Sequence, residues 1–239
     1  MVEQQNTDQL IADLAHRVTV LEAAQAVRTL QHQYGYYLDK CLYQEVVDLF
    51  ADDGDVYFCG GLYQGKEGVR RLYLGRFRER FTHGFNGPLF GFLLDHPQHQ
   101  DVITVSEDGQ SAQARFRSVM QAGVHEQAKD TFTGAAAMQQ WFEGGIYENE
   151  YVNDHGTWKI KRLNYRAFWH GDYDKGWAKT PPMDFQLGGT YPDSPYGPDQ
   201  ILDEGFEFYP NTEVFPFHYR HPVTGQVVES EDNEAAKHG

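Results

Sequence analysis

The chain has 239 residues, with 20 Lys and Arg against 35 Asp and Glu, for a formal charge of −15. A surface of that sign repels phosphate backbones and anionic bilayers, so neither nucleic acid nor membrane is an expected partner. No apolar run nears the ~20 residues of a bilayer span, no secretion signal opens the chain, and two cysteines make neither a disulfide framework nor a metal site, so a cytoplasmic protein is expected.

Residues 7–50 read as two helical segments. Val18, Leu21, Ala24 and Val27 share one face, followed by Leu30, Tyr34, Leu38, Leu42, Val46 and Leu49. Ala51-Asp52-Asp53-Gly54 closes the helix as a turn, and 55–59 is a short strand. Tyr63-Gln64-Gly65-Lys66 turns into a helix near 68–80, and 81–92, with several glycines and Pro88, reads as a mobile loop. From His96 onward the apolar period becomes two. Strands over 99–106 and 111–123 join through Glu107-Asp108-Gly109, and a second hairpin joins 145–152 to 157–168. Helices first and a meander of strands last predict an α+β fold. Beyond Trp177 prolines interrupt regular structure, yet Phe206, Phe208, Tyr209, Phe215, Phe217 and Tyr219 are too apolar for a solvated linker. The expected division is a domain over 1–176 and an extension over 177–239, packed on a pocket or on a neighbouring subunit. The 15 tyrosines exceed what buried hydroxyls easily satisfy, which points some of them at a pocket or subunit contact.

Three elements in this order carry a resemblance. They are Tyr37-Leu38-Asp39 with Tyr43 and Asp48-Leu49-Phe50-Ala51-Asp52-Asp53; Tyr63-Gln64-Gly65-Lys66-Glu67-Gly68-Val69; and Gly145-Ile146-Tyr147-Glu148 with Gly156-Thr157-Trp158-Lys159-Ile160. Over roughly 20–175 the chain resembles SnoaL-like members of the nuclear transport factor 2 superfamily. The resemblance implies a cone-shaped, strongly curved mixed or antiparallel sheet wrapped round N-terminal helices, with a cavity open at one end. Such relatives include scytalone dehydratase, bile-acid dehydratases, polyketide cyclases and epoxide hydrolases, and also ligand binders without activity. Trp177, Thr190-Tyr191-Pro192, Gly197-Pro198-Asp199 and Pro216-Phe217-His218-Tyr219 with His221-Pro222-Val223-Thr224-Gly225 are similar to a sphingomonad group that includes diarylpropane lyases.

Tyr36, Asp39 and Tyr43 fall on one helical stripe, a carboxylate between two phenols. Spacing alone makes that a solvated face; the resemblance implies that Asp39 points into the cavity and orients a histidine. His96, or His99 in its place, stands where relatives carry the general acid or base, and an imidazole with a pKa near 6.5 suits that work. Neither H-x-x-H nor any other spacing supports a metal, and no cofactor motif is present. Tyr57 and Tyr147 align with cavity positions of the dehydratases, where a phenol would donate to an oxyanion. Alternation puts Arg115 and Arg117 on one strand face, where solvent is the usual neighbour; one of Arg115, Arg117 and Arg166 turned inward would anchor a phenolate. Trp141, Phe168 and Trp169 read as pocket wall or core, and His170 as surface. Together these readings predict a cofactorless lyase working by acid–base chemistry on a hydroxylated aromatic molecule, with Asp39, His96, Tyr57 and Tyr147 catalytic. Tyr36, Tyr43, His99, Arg117, Trp141 and Phe168 would contact substrate. The alternatives are a dehydratase or cyclase of a polycyclic substrate, a non-catalytic binder of an aromatic ligand, and a structural module. A homo-oligomer, trimer before dimer, is implied by the resemblance.

Overall fold

The computed structural model describes residues 2–132, 140–182, 187–202, 208–210 and 212–229; Phe206 lies outside them. Helix α1 (Val2–Asp39) and α2 (Tyr43–Asp48) lead into β1 (Phe50–Phe58) and β2 (Gly61–Tyr63). Next come α3 (Gly65–Arg70), a π-helical segment (Arg71–Phe77) and α4 (Arg78–Thr82). Strands β3 (Phe92–Asp95), β4 (Gln98–Val105), β5 (Ser111–Val124), β6 (Gln140–Asp154), β7 (Thr157–Asp172) and β8 (Gln200–Ile201) complete the order. Among the described residues no helix is long and apolar enough to cross a membrane.

One sheet runs β3-β5-β6-β7-β1-β2-β8, with β4 also paired to β5. All pairings are antiparallel except β1 with β7. Register shifts interrupt β1–β7 at Phe50/Asp55, β4–β5 at His99/Val102 and β6–β7 at Gly144/Gly145 and Glu150/Tyr151. An extra residue on one strand bends it and increases its twist, so these bulges curve the sheet. The 51–54 turn read from sequence is instead the first half of β1, because its bulge absorbs Asp52 and Asp53 as exposed residues within the strand.

Period-two burial divides the sheet into two faces. On β5, Ala112, Ala114, Phe116, Ser118, Met120 and Ala122 are buried while the residues between them are mostly exposed. The helices fill the concave side, joining Val27, Leu30, Tyr34, Leu38, Val46 and Val47 to that face. A buried polar knot fixes α1 there. The Gln31 Oε1 accepts from Asn149 Nδ2 at 3.0 Å and from the Tyr151 hydroxyl at 2.7 Å, and Gln31 Nε2 donates to Gln98 Oε1 at 2.8 Å. The upstream half of the expected α1 face is not buried: Val18 and Leu21 are exposed, Leu21 at 70%, because α1 projects past the edge of the sheet before its packed half begins at Ala23.

The tail packs partly along the β2 edge and partly over the other face. β8 extends the sheet by pairing with β2. Asp199 accepts from the Gln64 N–H and pairs with Arg71, and Arg71 in turn stacks over Tyr191 at 4.3 Å. Outward-facing strand arginines hold the aromatic residues: Arg115 over Phe217 at 4.2 Å and Arg166 over Phe215 at 4.8 Å. Glu148 pairs with both Arg115 and His218.

Candidate active site

A cavity of about 530 Å³ opens between α1, α2, the π-helical segment, α4 and the concave face. Its walls are largely aromatic. Tyr34, Tyr73, Phe77 and Phe81 come from the helices, and Trp141, Tyr147 and Tyr165 from the sheet. The tail contributes Phe208, which is buried, while the neighbouring Tyr209 N–H donates to the Phe168 carbonyl at 2.8 Å.

His96 enters this cavity from the end of β3, and its main chain is held on both sides. Its N–H donates to Asp39 Oδ1 at 2.6 Å, and its carbonyl accepts from Gln98 Nε2 at 2.7 Å. Gln98 is itself tied to Gln31 of the polar knot. The ring is buried, and Nδ1 has no hydrogen-bond partner. Burial depresses the His96 pKa to about 3, so the imidazole is neutral at physiological pH. Asp39 and His96 are thus brought together, but through the main chain and not through the ring. Partial burial raises the Asp39 pKa to about 6, against the opposing effect of the His96 N–H.

Glu143 is the other ionisable group of the sheet wall. It lies on the inward face of β6, two residues from Trp141 and four from Tyr147. Its Oε1 accepts from the Tyr165 hydroxyl at 2.6 Å. Desolvation pushes its pKa to about 7, against the lowering effect of that bond. Gly145 makes the bond possible: a Cβ there would stand 2.4 Å from the Tyr165 hydroxyl oxygen. Tyr165 packs on Tyr147 with ring centroids 4.6 Å apart and faces the His96 ring edge-on at 6.2 Å. The Tyr34 and Tyr73 hydroxyls share a bond of 3.0 Å. Burial holds the phenols of Tyr34, Tyr73, Tyr147 and Tyr165 above their ordinary range, leaving them neutral donors.

Of the residues singled out from sequence, His96, Tyr43, Tyr147 and Trp141 line the cavity. The others stand elsewhere. Tyr57 lies on the outer face under Arg162 at 5.4 Å, because the pleat that turns Val56 and Phe58 inward turns Tyr57 out. Tyr36 is 74% exposed and His99 is exposed. Arg117 is exposed and stacks over Phe168 at 5.6 Å, and Phe168 lines a separate outer cleft with Trp169 and Trp177. Arg115 and Arg166 face the tail. His170, expected at the surface, is buried because β7 continues to Asp172 instead of ending near Phe168. Sequence reasoning missed Glu143, Tyr165, Arg76 and Arg80. The helical face Tyr73, Arg76, Phe77, Arg80, Phe81 repeats at i, i+3, i+4, i+7 and i+8, a pattern that places two guanidinium groups among aromatic rings. Glu143 sits in a run, Trp141-Phe142-Glu143, whose strand begins earlier than its glycines suggest. Among the described residues no group of three or more His, Cys, Asp or Glu is arranged to hold a metal ion.

None of the curated proteins matches this chain. Among solved structures, LinA superposes with a TM-score of 0.51 at 16% identity, covering 66% of this chain and 93% of that one. A type 2 hexachlorocyclohexane dehydrochlorinase (LinA) gives 0.49 at 18% identity, covering 71% and 96%. An NTF2-like protein with a cystatin-like fold from Novosphingobium aromaticivorans gives 0.46 at 18%, covering 70% and 93%. Likeness at such identity speaks for the fold, and the expected α+β sheet wrapped round N-terminal helices is what the strands and helices form. Residues 19–164 match the profile of the SnoaL-like domain, and the chain therefore belongs to the SnoaL-like domain family.

Proposed function

We propose that the protein is a cofactor-independent lyase acting on a hydroxylated aromatic molecule, with Glu143 as general acid. The supporting observation is a buried carboxyl, its pKa raised to about 7, in an aromatic cavity also lined by an imidazole whose Nδ1 has no partner. A carboxyl poised there is half protonated near neutrality, where proton donation is most effective.

On a para-hydroxyaryl substrate, Glu143 gives its proton to the benzylic hydroxyl as the C–O bond breaks and water leaves. The phenolate oxygen supplies the electron pair, producing a quinone methide, an internal electron sink. Loss of formaldehyde from a neighbouring hydroxymethyl group can follow. A base takes the O–H proton, the C–C bond breaks, and its electron pair forms the new double bond and restores the aromatic phenolate. His96, which lines the same cavity, serves as that base. Its depressed basicity recovers once Glu143 has become an anion in the same low-dielectric space, since a nearby negative charge favours the imidazolium. Tyr165 stabilises the Glu143 carboxylate, and Tyr147 is a neutral donor toward developing oxyanions. The deformylation step comes from the tail resemblance, and simple dehydration uses the same residues.

The test is turnover of a phenolic diarylpropane, followed by formaldehyde release and product absorbance. Glu143→Gln and His96→Ala are each expected to lower kcat by about 10²-fold or more, the usual contribution of a positioned acid or base. In the wild type kcat/KM falls as pH rises through about 7, because the acid must be protonated, and Glu143→Gln removes that limb. Full activity in either variant refutes the assignment.

A further inference from the structure

The protein carries a formal charge of −15, yet the permanently ionised groups of its cavity are cations. Arg76 and Arg80 stand one helical turn apart on the wall formed by the π-helical segment and α4. The other titratable groups there are held neutral or near their midpoint: His96 and the tyrosines uncharged, Glu143 about half protonated. Arg76 acts on the Tyr63 hydroxyl. Arg80, half-buried, stacks over the Phe81 ring at 5.6 Å and, among the described residues, pairs with no carboxylate. A half-buried guanidinium such as Arg80, set among aromatic walls next to a like charge, is more stable when a counter-charge joins it. Burial first, then the neighbouring Arg76, lower the Arg80 pKa below the usual arginine range. Proteins often place π-helical turns at functional sites, and the seven-residue segment Arg71–Phe77 contains Arg76 and ends three residues before Arg80.

We infer that the cavity takes an aryl ligand bearing an ionised oxygen, phenolate or carboxylate, and that Arg80, with Arg76 behind it, holds that oxygen at the helical wall. This deepens the function proposed above and rests on the cavity being its ligand site. A phenolate held there would be ionised at neutral pH, which is the electron supply that expulsion of a benzylic hydroxyl requires. Cys59, Glu143, Arg76 and Arg80 all line the same cavity, with the Cys59 thiol in electrostatic reach of the other three. The anchoring role that strand arginines would have filled falls to helical ones, because Arg115, Arg117 and Arg166 all face outward.

Binding of three probes tests this without turnover: 4-nitrophenol, 4-nitrobenzoate and the neutral 4-nitroanisole, each titrated calorimetrically into the full chain. Wild type is expected to prefer one or both anions over the anisole by about tenfold or more, the scale of one charge-assisted hydrogen bond. Preference for the phenol marks a phenolate site and preference for the benzoate a carboxylate site. Bound 4-nitrophenol should also show its phenolate absorption at a pH below its free pKa, a reading that needs no variant. Arg80→Met should abolish the preference while leaving anisole affinity unchanged, and Arg80→Lys should keep part of it. Equal binding of all three probes by the wild type, no binding of any, or an undiminished preference in Arg80→Met overturns the inference. Glu143→Gln should keep the anion preference, so a failed acid–base assignment and a failed anchor give different results.

Discussion

Asp39 and His96 show how a residue's role depends on which atom it touches. The carboxylate accepts the His96 N–H, so it sets where the strand enters the cavity while the ring Nδ1 has no hydrogen-bond partner. An amide oxygen can accept the same bond. Asp39→Asn should therefore keep most activity, whereas Asp39→Ala should lower kcat about tenfold or more, with a loss of roughly 1–2 kcal/mol in stability for an orphaned buried N–H. Steady-state kinetics and urea denaturation of both variants check this; equal damage from both would mean that the negative charge itself is needed. Identity and approximate place of His96, Tyr43, Tyr147 and Trp141 were legible from pattern and resemblance. The atom-level partner of Asp39 was not, because helical spacing cannot say whether a carboxylate meets a ring or a main chain.

At the scale of elements, pleat and bulge decide which side chains reach the cavity. The strand holding Tyr57 was legible from sequence, but its facing was not: the inward role came from the resemblance, whereas the pleat that buries Val56 turns Tyr57 outward. Glu143 escaped notice for a related reason, since the glycines at 144 and 145 look like a strand start while β6 begins at Gln140 and bulges there. Gly145 is the element's most sensitive point. Gly145→Ala should push Tyr165 away from Glu143, raise the Glu143 pKa further, and move the basic limb of the pH–rate profile upward. An unmoved limb would mean that Tyr165 does not tune the acid. The helices were placed correctly by their apolar period, but α1 runs as one piece from Val2, beyond the sheet it packs on, so its upstream apolar residues stay exposed.

For the whole molecule, the buried ionisable groups pull stability in opposite directions with pH. His96 refuses in the folded state a proton that the unfolded chain takes near 6.5, so its contribution is complete above that pH and is lost as pH falls toward about 3. The slope is roughly 1.4 kcal/mol for each pH unit within that window. Glu143 and Asp39, with pKa values raised to about 7 and about 6, act the other way: their contribution is complete below the ordinary carboxylate range and declines as pH rises through these values. His96→Gln should accordingly lose less stability than wild type between about pH 6 and pH 4, as read from denaturant midpoints; parallel curves would contradict a buried neutral imidazole. The order of helices and strands and the apolar character of the tail were legible across the chain. The place of Phe208 in the cavity wall was not, since it depends on contacts distant in sequence. The most direct measurement of the central claim is the protonation of Glu143, followed as the carboxylic-acid carbonyl band in the infrared difference between wild type and Glu143→Gln across pH. The account predicts a protonated band that persists through mildly acidic pH and disappears with a midpoint near 7. A carboxyl already ionised at pH 5 would contradict it.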